Sequence, residues 1–320
     1  MTRNPFSEPE ILDFYRAKRI LVTGGGGYLG SSFLSALAGT DCEIIRLSRP
    51  ADIRSAAEWE KALRDVEMIF HFAGQTSARF AEQNPSEDYE INVRPVFHLL
   101  RAARKRSIAP VSILFAGTVT QAGIPRYLPV DEKHPDFPIT VYDRHKCEAE
   151  NYLKAAVAAG EVKAAALRLS NVYGPSPQAE GRRDRGILNQ MVFKALAGED
   201  LTLLGEGGFM RDYLFIEDVV RAFLRAGAFL DRINGRHFVI GSGEGHTLRQ
   251  AFEEVRALAS LKTGRKIRVE CLPESGELLE IDKRNFVADS TAFSENTGWK
   301  SRYGLREGLE RMMDASLCVS

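Results

Sequence analysis

The chain has 320 residues, 44% apolar and 27% charged, and its 43 basic and 43 acidic side chains cancel. That composition excludes a mainly disordered chain, and the balanced charge lacks the electrostatic footprint of a dedicated nucleic-acid binder. Cys42, Cys147, Cys271 and Cys318 show no metal-ligand or C-x-x-C spacing and read as free thiols in a reducing compartment. With no apolar leader and no apolar run long enough for a bilayer, a cytoplasmic protein away from membranes is expected.

In chain order, Glu8 to Arg16 reads as a short helix without a functional assignment. Short β-branched or apolar runs follow at Arg19–Thr23, Glu43–Leu47, Met68–Phe72 and Val111–Phe115. Between and after them lie helical stretches at Tyr28–Leu37, Tyr89–Lys105 and Tyr142–Ala159. In the second of these, Val93, Phe97 and Leu100 share one face. Strands alternating with helices predict a parallel sheet covered on both sides. The second half is more mixed. Pro175–Arg185 reads as a loop, helices follow near Leu188–Ala197, Val219–Ala228 and Leu248–Ala259, and strand-like pieces lie at Leu201–Leu204, His237–Ile240 and Lys266–Leu272.

The first strand runs into Gly-Gly-Gly-Gly-Tyr-Leu-Gly, with Gly24, Gly27 and Gly30 three apart, directly before a helix. Such glycines permit a tight turn, close backbone approach to a pyrophosphate and close helix–strand packing. The helix start that carries Tyr28 and Leu29 adds open N–H groups and a positive dipole end. The predicted fold is therefore an α/β, Rossmann-type doubly wound parallel sheet. It comprises residues 1–174 plus about 214–238, with a smaller interleaved C-terminal α/β substrate lobe at 175–213 and 239–320. The second strand ends in Ser48-Arg49 without an acidic residue, which favours NADP(H), NAD(H) being the other possibility. Asp52-Ile53 is placed against the adenine, and the short link leaves little room for a further helix and strand.

Tyr142 and Lys146 form Y-x-x-x-K, one helical turn apart. A phenol near pKa ~10 is a poor base at neutral pH, and a nearby ammonium and oxidised nicotinamide favour the phenolate. Strand carboxyl ends host active sites in such sheets, so the hydroxyl partner is sought after Phe115, with Thr118 first and Thr120 as rival.

With these pieces in place, the chain resembles the extended short-chain dehydrogenase/reductase family, the NAD-dependent, nucleotide-sugar epimerases, dehydratases and reductases. Further matches are Phe70-His-Phe-Ala-Gly74, Ile91-Asn-Val93, Leu167-Arg-Leu-Ser-Asn-Val-Tyr-Gly-Pro175, the segment from Gly205 through Arg211 to Asp218, Phe238–Gly243, Arg284–Asp289 and Thr297-Gly-Trp299. The resemblance implies a catalytic triad of Thr118, Tyr142 and Lys146, with Lys146 also on the nicotinamide ribose. It adds Phe72, Ala73, Gly74 and Asn92 to the cofactor wall and implies nucleotide-sugar contacts from Gln75, Thr120, Asn171, Arg185, Leu188, Arg211 and Arg284. The two arginines are assigned the diphosphate, and the other reading of Arg211 is a pair with Asp212 or Asp218. A homodimer through a four-helix interface is also implied.

Family dehydratases place Asp-Glu after the threonine, and here Val119-Thr120 stands there. Reduction of a 4-keto-6-deoxyhexose by NADPH is the favoured chemistry, from Ser48-Arg49 and likeness to deoxysugar reductases in Phe115–Gln121 and Asp131–Asp136. NAD-dependent 4-epimerisation is the alternative. A non-catalytic dinucleotide sensor would call for a damaged Tyr142 or Lys146, and both are intact. The histidines show no metal-ligand spacing, so no metal is assigned; His71 reads as packed and His145 as pointing away from the site.

Overall fold

The computed structural model describes residues 8–47, 52–106, 110–175, 177, 186–273 and 279–318. The chain opens with α1 (Pro9–Asp13), β1 (Arg19–Thr23), α2 (Tyr28–Ala36), β2 (Glu43–Leu47), α3 (Ala56–Ala62) and β3 (Met68–His71). Next come α4 (Ala78–Gln83), α5 (Pro85–Asn92), α6 (Arg94–Arg104), β4 (Ser112–Thr118), α7 (Val141–Ala158), β5 (Lys163–Leu169) and β6 (Asn171–Tyr173). After them run α8 (Ile187–Ala197), β7 (Leu201–Leu204), β8 (Met210–Phe215), α9 (Ile216–Ala228), α10 (Leu230–Ile233) and β9 (His237–Ile240). The remainder is β10 (Gly245–Thr247), α11 (Leu248–Thr263), β11 (Val269–Leu272), α12 (Thr291–Thr297) and α13 (Leu305–Leu317).

Six strands form the main sheet in the order β2-β1-β3-β4-β5-β9, every neighbouring pair parallel. Strand alternation splits its side chains between two cores. Ile20 and Val22 face α2 and α9 with Phe33, Val219 and Phe223, whereas Leu21 faces α3, α6 and α7 with Trp59, Leu99 and Leu153. The family-like Phe70–Gly74 segment begins in β3, the third strand of the chain, and runs into the loop after it, because only α3 separates β2 from β3. The short link anticipated after Arg49 thus omits a strand–helix pair. The main sheet's last strand ends at Ile240, past the expected boundary at 238.

The helix expected over Tyr89–Lys105 breaks into α5 and α6 at Val93, just ahead of Pro95, whose ring excludes a continuous ladder. Val93 and Leu100 are buried, but Phe97 is 48% exposed, and Val96, Leu99 and Ala103 complete the buried face instead. Beside the main sheet, β10-β8-β6 form a three-stranded sheet and β11-β7 a parallel pair. The Tyr15 side chain after α1 is fully buried and its hydroxyl donates to the Leu224 carbonyl at 2.5 Å, tying this segment to α9. Glu8, just ahead of α1, accepts from Arg221, Arg225 and Arg302 at 3.0, 2.7 and 2.6 Å. Among the described residues, no helix is long and apolar enough to cross a membrane.

Candidate active site

The β1–α2 turn is built by close approach. Gly24 has φ +66°, and a Cβ there would lie 2.7 Å from the Ala73 nitrogen. A Cβ on Gly30 would lie 2.2 Å from the Gly24 carbonyl oxygen, so no side chain fits at that crossing. Gly27 caps α2 without a side-chain bond, leaving the helix start to an anion. Leu29 and Tyr28 pack partly against the main core, and the Tyr28 hydroxyl donates to the Gly174 carbonyl at 2.8 Å. Beneath the turn, the Thr23 hydroxyl accepts from the Ala73 N–H at 3.1 Å and shares a 2.8 Å hydrogen bond with His71 Nδ1. Burial, then the Lys146 charge, pushes His71 down to about 3, so it is a neutral packing residue, as expected. Phe72, Ala73 and Gly74 continue from β3 to Asn92, and a Cβ on Gly74 would lie 2.8 Å from the Asn92 Oδ1. These close approaches fit a dinucleotide pyrophosphate over the turn.

Ser48, Arg49 and Arg185 lie outside the described residues. Asp52 does not offer an open carboxylate to an adenine, because Arg54 Nε and Nη2 grip it at 2.9 and 2.6 Å. Ile53 packs against the second core, and its carbonyl accepts from Trp59 Nε1 at 2.7 Å. One cation was missed in the sequence. Arg46, exposed at the end of β2, has its stem 3.9 Å from where a Gly25 Cβ would sit, and no ion pair holds it among the described residues.

Thr118 closes β4 and Tyr142 opens α7, capped by a reciprocal Thr140–Asp143 box. The Lys146 ammonium donates to the Ala116 carbonyl at 2.6 Å and sits 4.1 Å over the Phe115 ring. Burial lowers its pKa to about 8, against the raising charges of Glu150 and Asp88. Tyr142 differs from the sequence expectation. Burial first, then the charges of Asp143 and Asp88, raise its pKa above the ordinary phenol value, with the Thr118 hydroxyl pulling the other way. The chain by itself therefore holds Tyr142 as a neutral acid. Thr118 Oγ1 and Thr120 Oγ1 lie 2.9 Å apart, so the rival threonine supports the first rather than replacing it.

The expected substrate residues divide. The Gln75 side chain is committed within the protein. Its Nε2 donates to Asp88 Oδ1 at 2.6 Å and its Oε1 accepts from the Ser77 N–H, so it is not an open substrate contact. Leu188 is a buried core residue of α8, because Ile187 takes the exposed place in that first turn. Asn171 and Arg211 do converge with Arg284. Asn171 pairs in register with Tyr213, and Arg211 lies two residues from Tyr213 on the same strand face. Arg211 donates to the carbonyls of Met210, Arg284 and Asp282, and Arg284 Nη1 to the Ile281 carbonyl at 2.8 Å.

Neither arginine has a carboxylate partner among the described residues. Asp212 instead accepts from Ser170, Ser242, Gly243 and Ala288, and Asp218 pairs with Arg221. Burial and the neighbouring Arg211 lower Arg284 to about 10. Buried Asn171 Oδ1, Tyr213 Oη and Arg284 Nε lack hydrogen-bond partners, as expected where a ligand completes a polar wall. Buried Arg284 and half-buried Arg211, both without a carboxylate partner among the described residues, offer the chemistry that an anion would need. Tyr213 was missed, although its spacing of two from Arg211 on a strand was the available signal.

A family model described as the NAD dependent epimerase/dehydratase family matches residues 20–241. A Methanocaldococcus jannaschii protein provisionally named UDP-glucose 4-epimerase is 30% identical, over 92% of this chain and 97% of that one. Among solved structures, the Thermotoga maritima UDP-glucose 4-epimerase with UDP-glucose is 26% identical, with a TM-score of 0.83, covering 94% of this chain and 99% of that one. The Thermus thermophilus UDP-glucose 4-epimerase complex with NAD is 27% identical, with a TM-score of 0.78, covering 92% and 98%.

Proposed function

The chain belongs to the NAD dependent epimerase/dehydratase family, and from that membership we propose that it interconverts C4 epimers of a UDP-hexose with a retained NAD. This departs from the sequence preference for NADPH-dependent reduction. The support is the near full-length likeness to proteins named as UDP-glucose 4-epimerases. Ser48-Arg49, the residues on which the NADPH preference rested, lie outside the described residues.

The carrying observation in the site is the buried Thr118–Tyr142–Lys146 cluster near the carboxyl end of β4. Gly24, Gly27 and Gly30 would hold the dinucleotide pyrophosphate, with Phe72–Gly74 beside it, and Lys146 its ribose. Bound, the dinucleotide supplies reversible hydride exchange at the sugar carbon. Once ionised, Tyr142 takes the hydroxyl proton at C4 on oxidation and returns it on reduction. The Thr118 hydroxyl holds the same oxygen in line. Burial and the two carboxylates keep Tyr142 protonated in the chain by itself, against the Thr118 hydroxyl, and the Lys146 ammonium would favour the phenolate. Arg211 and Arg284 anchor the diphosphate, leaving the hexose free to present either face.

The test incubates pure protein with UDP-galactose and follows UDP-glucose by NMR, without added cofactor. Conversion that is catalytic in protein and lost in Tyr142→Phe, by at least about a hundredfold, is the expected outcome. Stoichiometric NADPH consumption on a 4-keto-6-deoxyhexose nucleotide, with no epimerisation, would replace this reading with reduction.

A further inference from the structure

Helix α5 carries a carboxylate that neither the fold nor the proposed chemistry accounts for. Asp88 is fully buried. Its Oδ1 accepts from Gln75 Nε2 at 2.6 Å and from Asn92 Nδ2 at 2.9 Å, and its Oδ2 lies 2.6 Å from His145 Nδ1. These three partners come from the loop after β3, from α5 itself and from α7. His145 stands three residues beyond Tyr142 and one before Lys146, with its ring edge-on to Tyr89 at 5.4 Å. The His145 side chain is 16% exposed and so reaches toward solvent from a buried carboxylate. The sequence reading that sends His145 away from the site is therefore incomplete.

We propose that Asp88 and His145 form a positioning pair that locks the helix bearing Tyr142 and Lys146 to the Gly74–Asn92 wall of the cofactor cradle. The geometry gives the pair two effects. First, Asn92 Nδ2 also donates to the Gln75 carbonyl at 3.1 Å, so releasing Asp88 from His145 loosens the wall that a Gly74 Cβ would touch. Second, Asp88 sets the field at the reacting groups, because its charge acts on both the Tyr142 phenol and the Lys146 ammonium. The other charged or titratable groups there are Asp143, Lys146 and Glu150 on α7, with Arg284 opposite Asp143 from the second lobe. Glu82 of α4 accepts from the Val141 N–H at the start of α7. His145 is the one placed to answer Asp88 directly.

The proposal rests on Tyr142 and Lys146 being the reacting pair, so its test reads cofactor binding as well as turnover. His145→Phe keeps an aromatic ring against Tyr89 and removes the donor. His145→Asn keeps an N–H near the Nδ1 position. His145→Phe is expected to weaken NAD affinity, measured by fluorescence quenching, by about tenfold, the scale of one buried charge-assisted hydrogen bond. It is also expected to lower kcat for UDP-galactose about tenfold with KM within about twofold, and His145→Asn should restore both. Asp88→Asn removes a negative charge beside Tyr142, so the rising limb of the kcat/KM profile should move to lower pH, a shift that a purely structural role would not produce.

If the wild type turns over no UDP-hexose, the proposed epimerisation fails, and this proposal is still decided by cofactor affinity. Wild-type affinity and kcat in folded His145→Phe would overturn the pair. So would equal losses in His145→Asn and His145→Phe at unchanged Tm.

Discussion

Lys146, to which the proposed function gives the dinucleotide ribose, opposes the fold that holds it. Buried, it titrates at about 8 in the folded chain against 10.5 for an ordinary lysine. Below pH ~8 both folded and unfolded chains bind the proton, so the whole burial cost weighs against folding. That cost is relieved as pH rises between the two values, where only the unfolded chain stays protonated. Lys146→Met should therefore raise stability at neutral pH, by about 2 kcal/mol after loss of the Ala116 bond, while abolishing turnover. Urea unfolding at neutral and alkaline pH checks this, and the gain should shrink as pH rises. The Y-x-x-x-K spacing was legible because helix periodicity is local. The upward shift of Tyr142 was not, because its main cause is burial, which tertiary packing sets, and Asp88 adds to it only through the packing of α5 on α7.

At the scale of elements, α7 is held by a buried ionic cluster as well as by apolar contacts. Glu150 accepts from Arg168 on β5 at 3.0 and 2.7 Å and from Gln121 at 3.2 Å, and Arg168 also grips Asp136. Burial pushes Glu150 upward, but Arg168 and Lys154 outweigh it and hold the carboxyl at about 2. A lowered carboxyl pKa contributes stability above the unfolded value and loses it as pH falls toward 2. Arg168→Leu leaves that buried carboxylate with Lys154, at 2.7 Å, as its remaining cation, and should cost about 3 kcal/mol at neutral pH. Chemical denaturation should show the gap from wild type narrowing in acid. The sequence made α7 visible as a periodic segment, whereas β5 was not read as a strand. Tyr89–Lys105 was read as one helix because the apolar pattern runs on through Val93, and Pro95 was not weighed against it. Phe97 was misassigned for the same reason: a new helix starts a new face.

Over the whole molecule, that misassigned ring matters again. Phe97 on α6 and Tyr152 on α7 are 48% and 38% exposed, with ring centroids 6.5 Å apart, an apolar patch on helices beside the site. A second copy meeting this patch would form the four-helix interface that the family resemblance implies. Sedimentation should give a dimer for the wild type and a monomer for Phe97→Glu. Five strands of the main sheet, all but β5, were readable from local patterns, and so was the glycine cradle. The Asn171–Arg211–Arg284 cluster was readable only in pieces, since its members are far apart in sequence; Asn171 meets β8 through strand pairing, and Arg284 joins through the bond from Arg211 to its carbonyl.

Glu8 joins three arginines, one of which, Arg302, lies 294 positions further along the chain. The other two stand on α9, where Trp299 also donates to the Asp218 carbonyl at 3.0 Å. During synthesis, the opening segment can reach α9 well before its last partner exists. The first strands are thus made long before their edge strand β9 and the C-terminal arginine leave the ribosome. The nascent chain holds Glu8 without Arg302 until the stretch after α12 is made, so the last of these three ion pairs closes only after every strand of the main sheet has been synthesised.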